Sequence, residues 1–195
     1  MSQYYSIDKL IAMIDEPNRS GCQRLLDENR HHFQVVFGSV HNHQSWPGGY
    51  IDHITEVMNI AVVLYHQLNA CRPLPFSLSD LLLIVYLHDI EKPWKYERRD
   101  DGQLHVVDAL KEKTAQHEFQ HRKITEYGIQ LSPEQTNGLD YVEGEAGDYS
   151  NRHRAMGPLA AVAHMCDVCS ARVWFDHPWE TDDTWLGATR IRDQV

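Results

Sequence analysis

Leu81-Leu-Leu-Ile-Val-Tyr-Leu-His-Asp-Ile-Glu-Lys-Pro93 runs through seven apolar residues and then changes abruptly to a histidine, an aspartate and, three positions later, a lysine. Ser77 and Ser79 precede the run as N-cap candidates and Pro93 closes it, so the pattern predicts a buried helix of about three turns, with a buried strand as the alternative. A helix apolar on all sides belongs to the interior. His88 and Asp89 then sit at a core boundary, where bare polar groups are costly and need partners. One arrangement is structural: His88 in a core hydrogen bond, Asp89 as a cap or salt bridge, Lys92 at the negative end of the helix dipole. The other is metal ligation, with adjacent imidazole and carboxylate donors gripping one divalent ion.

The wider chain bounds the choice. Its 195 residues, 42% hydrophobic and 24% charged, suit one globular domain able to bury a core. With 18 Lys plus Arg against 28 Asp plus Glu, the formal charge of -10 argues against non-specific nucleic-acid binding and against anionic membranes. No basic start with an apolar stretch opens the sequence, and no run reaches the roughly 18 apolar residues of a membrane span, so a cytoplasmic protein is expected. Cys22, Cys71, Cys166 and Cys169 contain one C-x-x-C inside an apolar helical stretch and no second pair, which favours free, helix-buried thiols over a zinc knuckle or a disulfide framework. The 13 histidines exceed what packing needs and point toward metal chemistry.

Apolar spacing predicts packing helices over residues 7–16 and 19–33, broken at Pro17-Asn18. Residues 38–49 read as a loop that carries His41, His43, Trp46 and the bend Pro47-Gly48-Gly49. A long amphipathic helix follows over 50–68, with His53 on its apolar stripe. Alone, His53 reads more readily as a satisfied core histidine. Residues 94–107 suit a short hairpin or lid turning at Asp100-Asp101-Gly102, and 108–129 one or two helices with His117 and His121 on one face. Ser132 and Pro133 mark a helix start running to about 143; 144–152 is a loop; 155–174 is a second strongly apolar helix holding Asp167. The Trp-bearing tail, 175–195, has no clear period and either wraps the core or contacts a partner.

Three apolar helices thus each carry a polar anomaly: His53, the His88-Asp89 pair, and Asp167. Gly48-Gly49-Tyr50-Ile51-Asp52-His53, His88-Asp89-Ile90-Glu91-Lys92 and His164-Met165-Cys166-Asp167, in that order, resemble the HD-domain superfamily of metal-dependent phosphohydrolases. The resemblance covers residues 46–174, with the N-terminal helices 7–33 and the tail added to a single domain. It implies an all-α, HD-domain-like helical bundle in which His53, His88, Asp89 and Asp167 ligate one divalent metal, with Asp89 and Lys92 in the catalytic machinery and Lys92 near the substrate phosphate. Glu91 stands where many members have glycine, which alters the pocket floor and not the ligands.

The residue types support the same chemistry by themselves. Mixed imidazole and carboxylate donors suit Mn, Fe, Co, Ni or Zn, with Mg also allowed, and such an ion can activate water as a nucleophile. Lys92, Lys95, Arg152, Arg154 and Arg172 are candidates for neutralising phosphate charge. The expected substrate is a phosphorylated small molecule, above all a nucleotide or a nucleic-acid-derived phosphoester. A rival reading lies in His117-Glu118-Phe119-Gln120-His121, an H-E-x-x-H of the zinc-peptidase type with Glu143 or Glu145 as third ligand. Against it, Arg122-Lys123 follows at once, where a peptidase helix is buried. His117 and His121 are otherwise candidates for a second metal, which would admit a di-iron oxygenase of HD type.

Overall fold

The computed structural model describes residues 3–40, 42–98, 104–148, 150, 152–175 and 183–194. His41, Asp100-Asp101-Gly102 and residues 176–182 of the tail lie outside these. The chain is mostly helical. Helix α1 (Ile7–Ile11) and helix α2 (Asn18–Phe33) bury Leu10, Ile11, Cys22, Leu25 and Leu26 against helix α3 (Gly49–Cys71) and helix α4 (Leu78–Leu87). Helix α5 (Lys92–Lys95) leads into an antiparallel pair of strands, β1 (Tyr96–Arg98) and β2 (Leu104–Val106), the small hairpin expected from the sequence. Helix α6 (Lys113–Glu126), helix α7 (Pro133–Asp140) and helix α8 (Pro158–Val168) complete the bundle.

The apolar run forms the middle of this bundle. Ser77 caps α4 through a reciprocal capping box with Asp80, and every residue from Leu81 to Leu87 is buried. Each such aliphatic side chain contributes about 1.5–3 kcal/mol by leaving water. The helix ends at Leu87, before Pro93, which instead occupies the first turn of α5. The carbonyls of Leu87 and His88 accept from Gln120 Nε2 at 3.0 and 2.9 Å, so the buried helix end is satisfied by a side chain of α6.

Burial in α3, the end of α8 and the exposure of two cysteines differ from the sequence pattern. Helix α3 buries all of Gly49 to Ala61, because segment 183–194 covers the side that reads as polar. The α-helix at 155–174 stops at Val168 and passes into a π-helical turn, Cys169–Val173, closed by Trp174 N donating to Cys169 O at 3.1 Å. All four cysteines are free as expected, but Cys71 is exposed at the end of α3 and Cys169 is half-buried. Among the described residues, no helix is long and apolar enough to cross a membrane.

Candidate metal centre

The start of α3 brings in His53, and the loop before it explains the two glycines. Gly48 adopts φ +80°, and a Cβ on Gly49 would stand 1.8 Å from the Gln44 carbonyl oxygen, so a larger residue at 49 would displace the loop. Gln44 itself sits at φ +41°, uncommon for a residue with a side chain, and is held there by backbone bonds to Gly38, Trp46 and Phe175. Asp52 accepts from Trp46 Nε1 at 2.9 Å and from Ile191 N at 2.8 Å, which fastens loop and C-terminal segment to this turn. The next residue, His53, is fully buried.

His88 and Asp89 follow α4, and Asp167 lies in the last turn of α8. Their donor atoms converge with those of His53. His53 Nε2 stands 3.5 Å from Asp89 Oδ2 and 3.3 Å from Asp167 Oδ1; His88 Nε2 stands 3.2 and 3.6 Å from the same two oxygens. Two donors each about 2.1 Å from one ion and about 90–110° apart are about 3.0–3.4 Å from one another. The 3.2 and 3.3 Å pairs match that spacing, and the 3.5 and 3.6 Å pairs are slightly longer. Among the described residues, His53, His88 and Asp167 form the one group of three or more such donors within 4.8 Å; Asp89, expected as the fourth ligand, falls outside it, with Oδ2 held by Lys92.

Hydrogen bonds behind the rings fix their tautomers. His88 Nδ1–H donates to the Val85 carbonyl at 2.8 Å, and His53 Nδ1–H donates to Ser170 Oγ at 3.0 Å, whose own proton goes to Glu56 Oε2 at 2.7 Å. Both Nε2 atoms are then lone pairs, and both are buried without a hydrogen-bond partner. Acceptors facing carboxylate oxygens repel unless a cation stands between them. A transition ion fits that position, and the outward bonds are those that orient histidine ligands.

A proton can take the same place. Burial alone would lower His88, yet Asp89 and Asp167 hold it well above its ordinary value. Burial would raise the carboxylates, but Lys92, His88 and His53 keep Asp89, and the two histidines keep Asp167, well below the usual range.

The other candidates separate clearly. Lys92 Nζ donates to Asp89 Oδ2 at 2.5 Å and is buried, so it belongs to the centre, with Asp89 as its first partner. Lys95 donates to Gln116 Oε1 at 3.2 Å and lies within electrostatic reach of Glu91 and Asp89. Arg152, Arg154 and Arg172 are exposed, and none lines the cavity beside His88. That cavity, of about 310 Å³, is walled by Glu91, Lys113, His117, Asp140, Glu143 and Glu145, with Lys113 ion-paired to Glu143. Burial and the adjacent Asp89 push Glu91 up to about 7.

No family model, curated protein or solved structure matches the chain.

The H-E-x-x-H stretch is turned outward. Gln116 and Gln120 occupy the buried face of α6, one position before each histidine, and they leave His117, Glu118 and His121 exposed. His117 lines the cavity with His88, His121 Nε2 is 4.0 Å from Asp140 Oδ1, and Glu118 borders a different hollow beside Trp94 and Phe119. Among the described residues these side chains join no group of three clustered donors. Conversely, His43 reads in the sequence only as a loop residue, yet its ring centroid is 4.7 Å from that of His53 and its Nδ1–H donates to Gln44 Oε1 at 2.8 Å. Ser170, Glu56 and Gln44 also stand behind His53 without any sequence signal.

Proposed function

We propose that the chain is a metal-dependent phosphohydrolase of the HD-domain type, in which His53, His88, Asp89 and Asp167 hold one divalent transition ion. The observation that carries the reading is the pair of buried, unpartnered Nε2 atoms directed at two carboxylate oxygens at ligand spacing. Such an ion, when bound, supplies Lewis acidity toward a phosphoryl oxygen and toward water.

The protein's own groups divide the remaining work. Lys92, held by Asp89, presents a buried ammonium to a non-bridging phosphate oxygen at the rim of the centre. The ring of His43 shields His53 from the loop side; burial, then His53 itself, pushes it down to about 4, so it is neutral near neutral pH. The cavity beside His88 receives the rest of the substrate. Its wall of Asp140, Glu145 and Asp148, with Glu143 paired to Lys113, keeps an acidic excess that suits hydrogen-bond donors such as nucleobase amino groups and opposes additional phosphates. A nucleoside monophosphate or a phosphodiester with one charge fits better than a triphosphate.

The test is metal analysis of protein purified without chelator, followed by phosphatase, phosphodiesterase and nucleotidase assays with Mn, Co, Ni and Mg. Hydrolysis that disappears on chelation and returns with one of these ions is the expected outcome. Absence of phosphoester hydrolysis with every ion would overturn the proposal.

A further inference from the structure

A buried cation far along the chain stands behind the centre. Arg190 belongs to segment 183–194, whose described part turns helical only over Ile191–Gln194, yet its side chain is 3% exposed. Its Nη2 donates to Glu56 Oε1 at 2.9 Å, its Nη1 to the Asp183 carboxylate, and its guanidinium lies 5.6 Å from the centre of the Tyr4 ring. Ile191 N, bonded to Asp52 at 2.8 Å, fixes the segment beside the first turn of α3. Glu56 is as deeply buried as Arg190, and its other oxygen accepts the Ser170 hydroxyl proton at 2.7 Å. Ser170 in turn accepts from His53 Nδ1–H and, at 3.1 Å, from Gln44 Nε2.

We infer that Arg190 is a positioning residue for His53: it keeps Glu56 an obligate acceptor, so that the Ser170 hydroxyl points away from the imidazole and His53 carries its proton on Nδ1, leaving Nε2 as a lone pair. The inference rests on the proposed metal centre for its functional meaning, though not for its geometry. A buried ion pair is seldom more stabilising than an apolar pair of the same volume, so its stability alone does not account for two charges at this position. A use for the charge lies in hydrogen-bond direction. A carboxylate has no proton to give, whereas an amide or a hydroxyl in its place can donate or accept and would let the chain of bonds reverse. The consequence falls on Nε2, which in the reversed chain would carry a hydrogen and could not ligate.

Glu56→Gln makes the reversal nearly isosterically. Arg190 still requires an acceptor, so the amide oxygen turns to it, the amide NH2 faces Ser170 Oγ, and the hydroxyl donates to His53 Nδ1. The probe is the ¹⁵N spectrum of histidine-labelled, metal-free protein at alkaline pH, read beside Mn²⁺ and Zn²⁺ affinity. In the wild type the His53 proton is expected on Nδ1. In Glu56→Gln it is expected on Nε2, with metal affinity lower by about 10–100-fold, the usual effect of removing a partner behind a ligand. Arg190→Met should behave in the same direction and Arg190→Lys should restore the wild-type tautomer. Ser170→Ala, which only deletes a small hydroxyl, serves where the others do not fold, and should likewise weaken metal binding. A folded Glu56→Gln or Ser170→Ala protein with the wild-type tautomer and unchanged affinity would overturn the inference and leave Arg190 a structural anchor. If the tautomer moves while the wild type binds no metal, the positioning role stands and the metal reading fails.

Discussion

His53 and Ser170 are 117 positions apart in the chain, and 3.0 Å separates His53 Nδ1 from Ser170 Oγ. That bond joins the start of α3 to the π-helical turn after α8, and it aims the opposite edge of the imidazole at Asp89 and Asp167. The centre is therefore assembled from three distant stretches, each contributing one or two donors, on a scaffold whose middle is the apolar α4.

Lys92→Met should separate binding of the ion from binding of phosphate. The Lys92–Asp89 pair is almost completely buried, and deleting one member of such a pair costs about 3 kcal/mol in the metal-free protein. Added Mn²⁺ should restore part of that stability. Metal content should stay near wild type, while phosphoester binding weakens by about 1–3 kcal/mol. Denaturant melts with and without Mn²⁺, and kinetics on the same preparation, make the check; an unchanged melt would remove Lys92 from the centre.

Glu91 gives a pH dependence of definite sign. Its carboxyl is raised from 4.5 to about 7 by burial and then by Asp89, so the native state binds the proton more tightly than the unfolded chain does. The resulting destabilisation is absent below about pH 4, grows between 4.5 and 7, and is complete above that range. Glu91→Gln should therefore stabilise chelated protein by about 3 kcal/mol near pH 8 and by almost nothing near pH 4. An equal effect at both values would contradict the burial of a carboxyl at this position.

Much of this was legible beforehand, and the failures have physical causes. The capped apolar helix, the hairpin, and the convergence of His53, His88, Asp89 and Asp167 follow from polar groups in apolar helices, which must find one another or a cation. Ser170 did not announce itself, because the π-helical turn adds a residue and breaks the 3.6-residue register that would have placed it. Glu56 reads as the wet side of an amphipathic helix until segment 183–194 covers that side, and Arg190 sits in a tail with no period. The H-E-x-x-H stretch misleads because α6 turns two glutamines inward, Gln120 to the carbonyls at the end of α4 and Gln116 to that of Leu110, a face no hydrophobic pattern marks.

For that reason Glu118→Gln and His121→Ala should leave hydrolysis and metal stoichiometry at wild-type levels, within about twofold, since both side chains are exposed. Assays of the two variants beside wild type decide it. Loss of a peptidase activity in Glu118→Gln would restore the rival reading.

The acidic cavity yields a ranking of substrates. A nucleoside monophosphate should exceed the matching triphosphate in kcat/KM by about tenfold or more, because extra phosphates meet Asp140, Glu143 and Glu145. Glu143→Gln with Glu145→Gln should narrow the gap. A preference for triphosphates that survives both substitutions would move the substrate out of this cavity.

The most direct measurement is equilibrium dialysis of the chelated protein against Mn²⁺ and Zn²⁺, with metal counted per chain in wild type, His88→Ala and Asp167→Ala. One tightly held ion per wild-type chain, absent from both variants while their helical content is retained, is the expected result. A wild type that holds no ion, or variants that hold it as tightly, would contradict a centre built from His53, His88, Asp89 and Asp167.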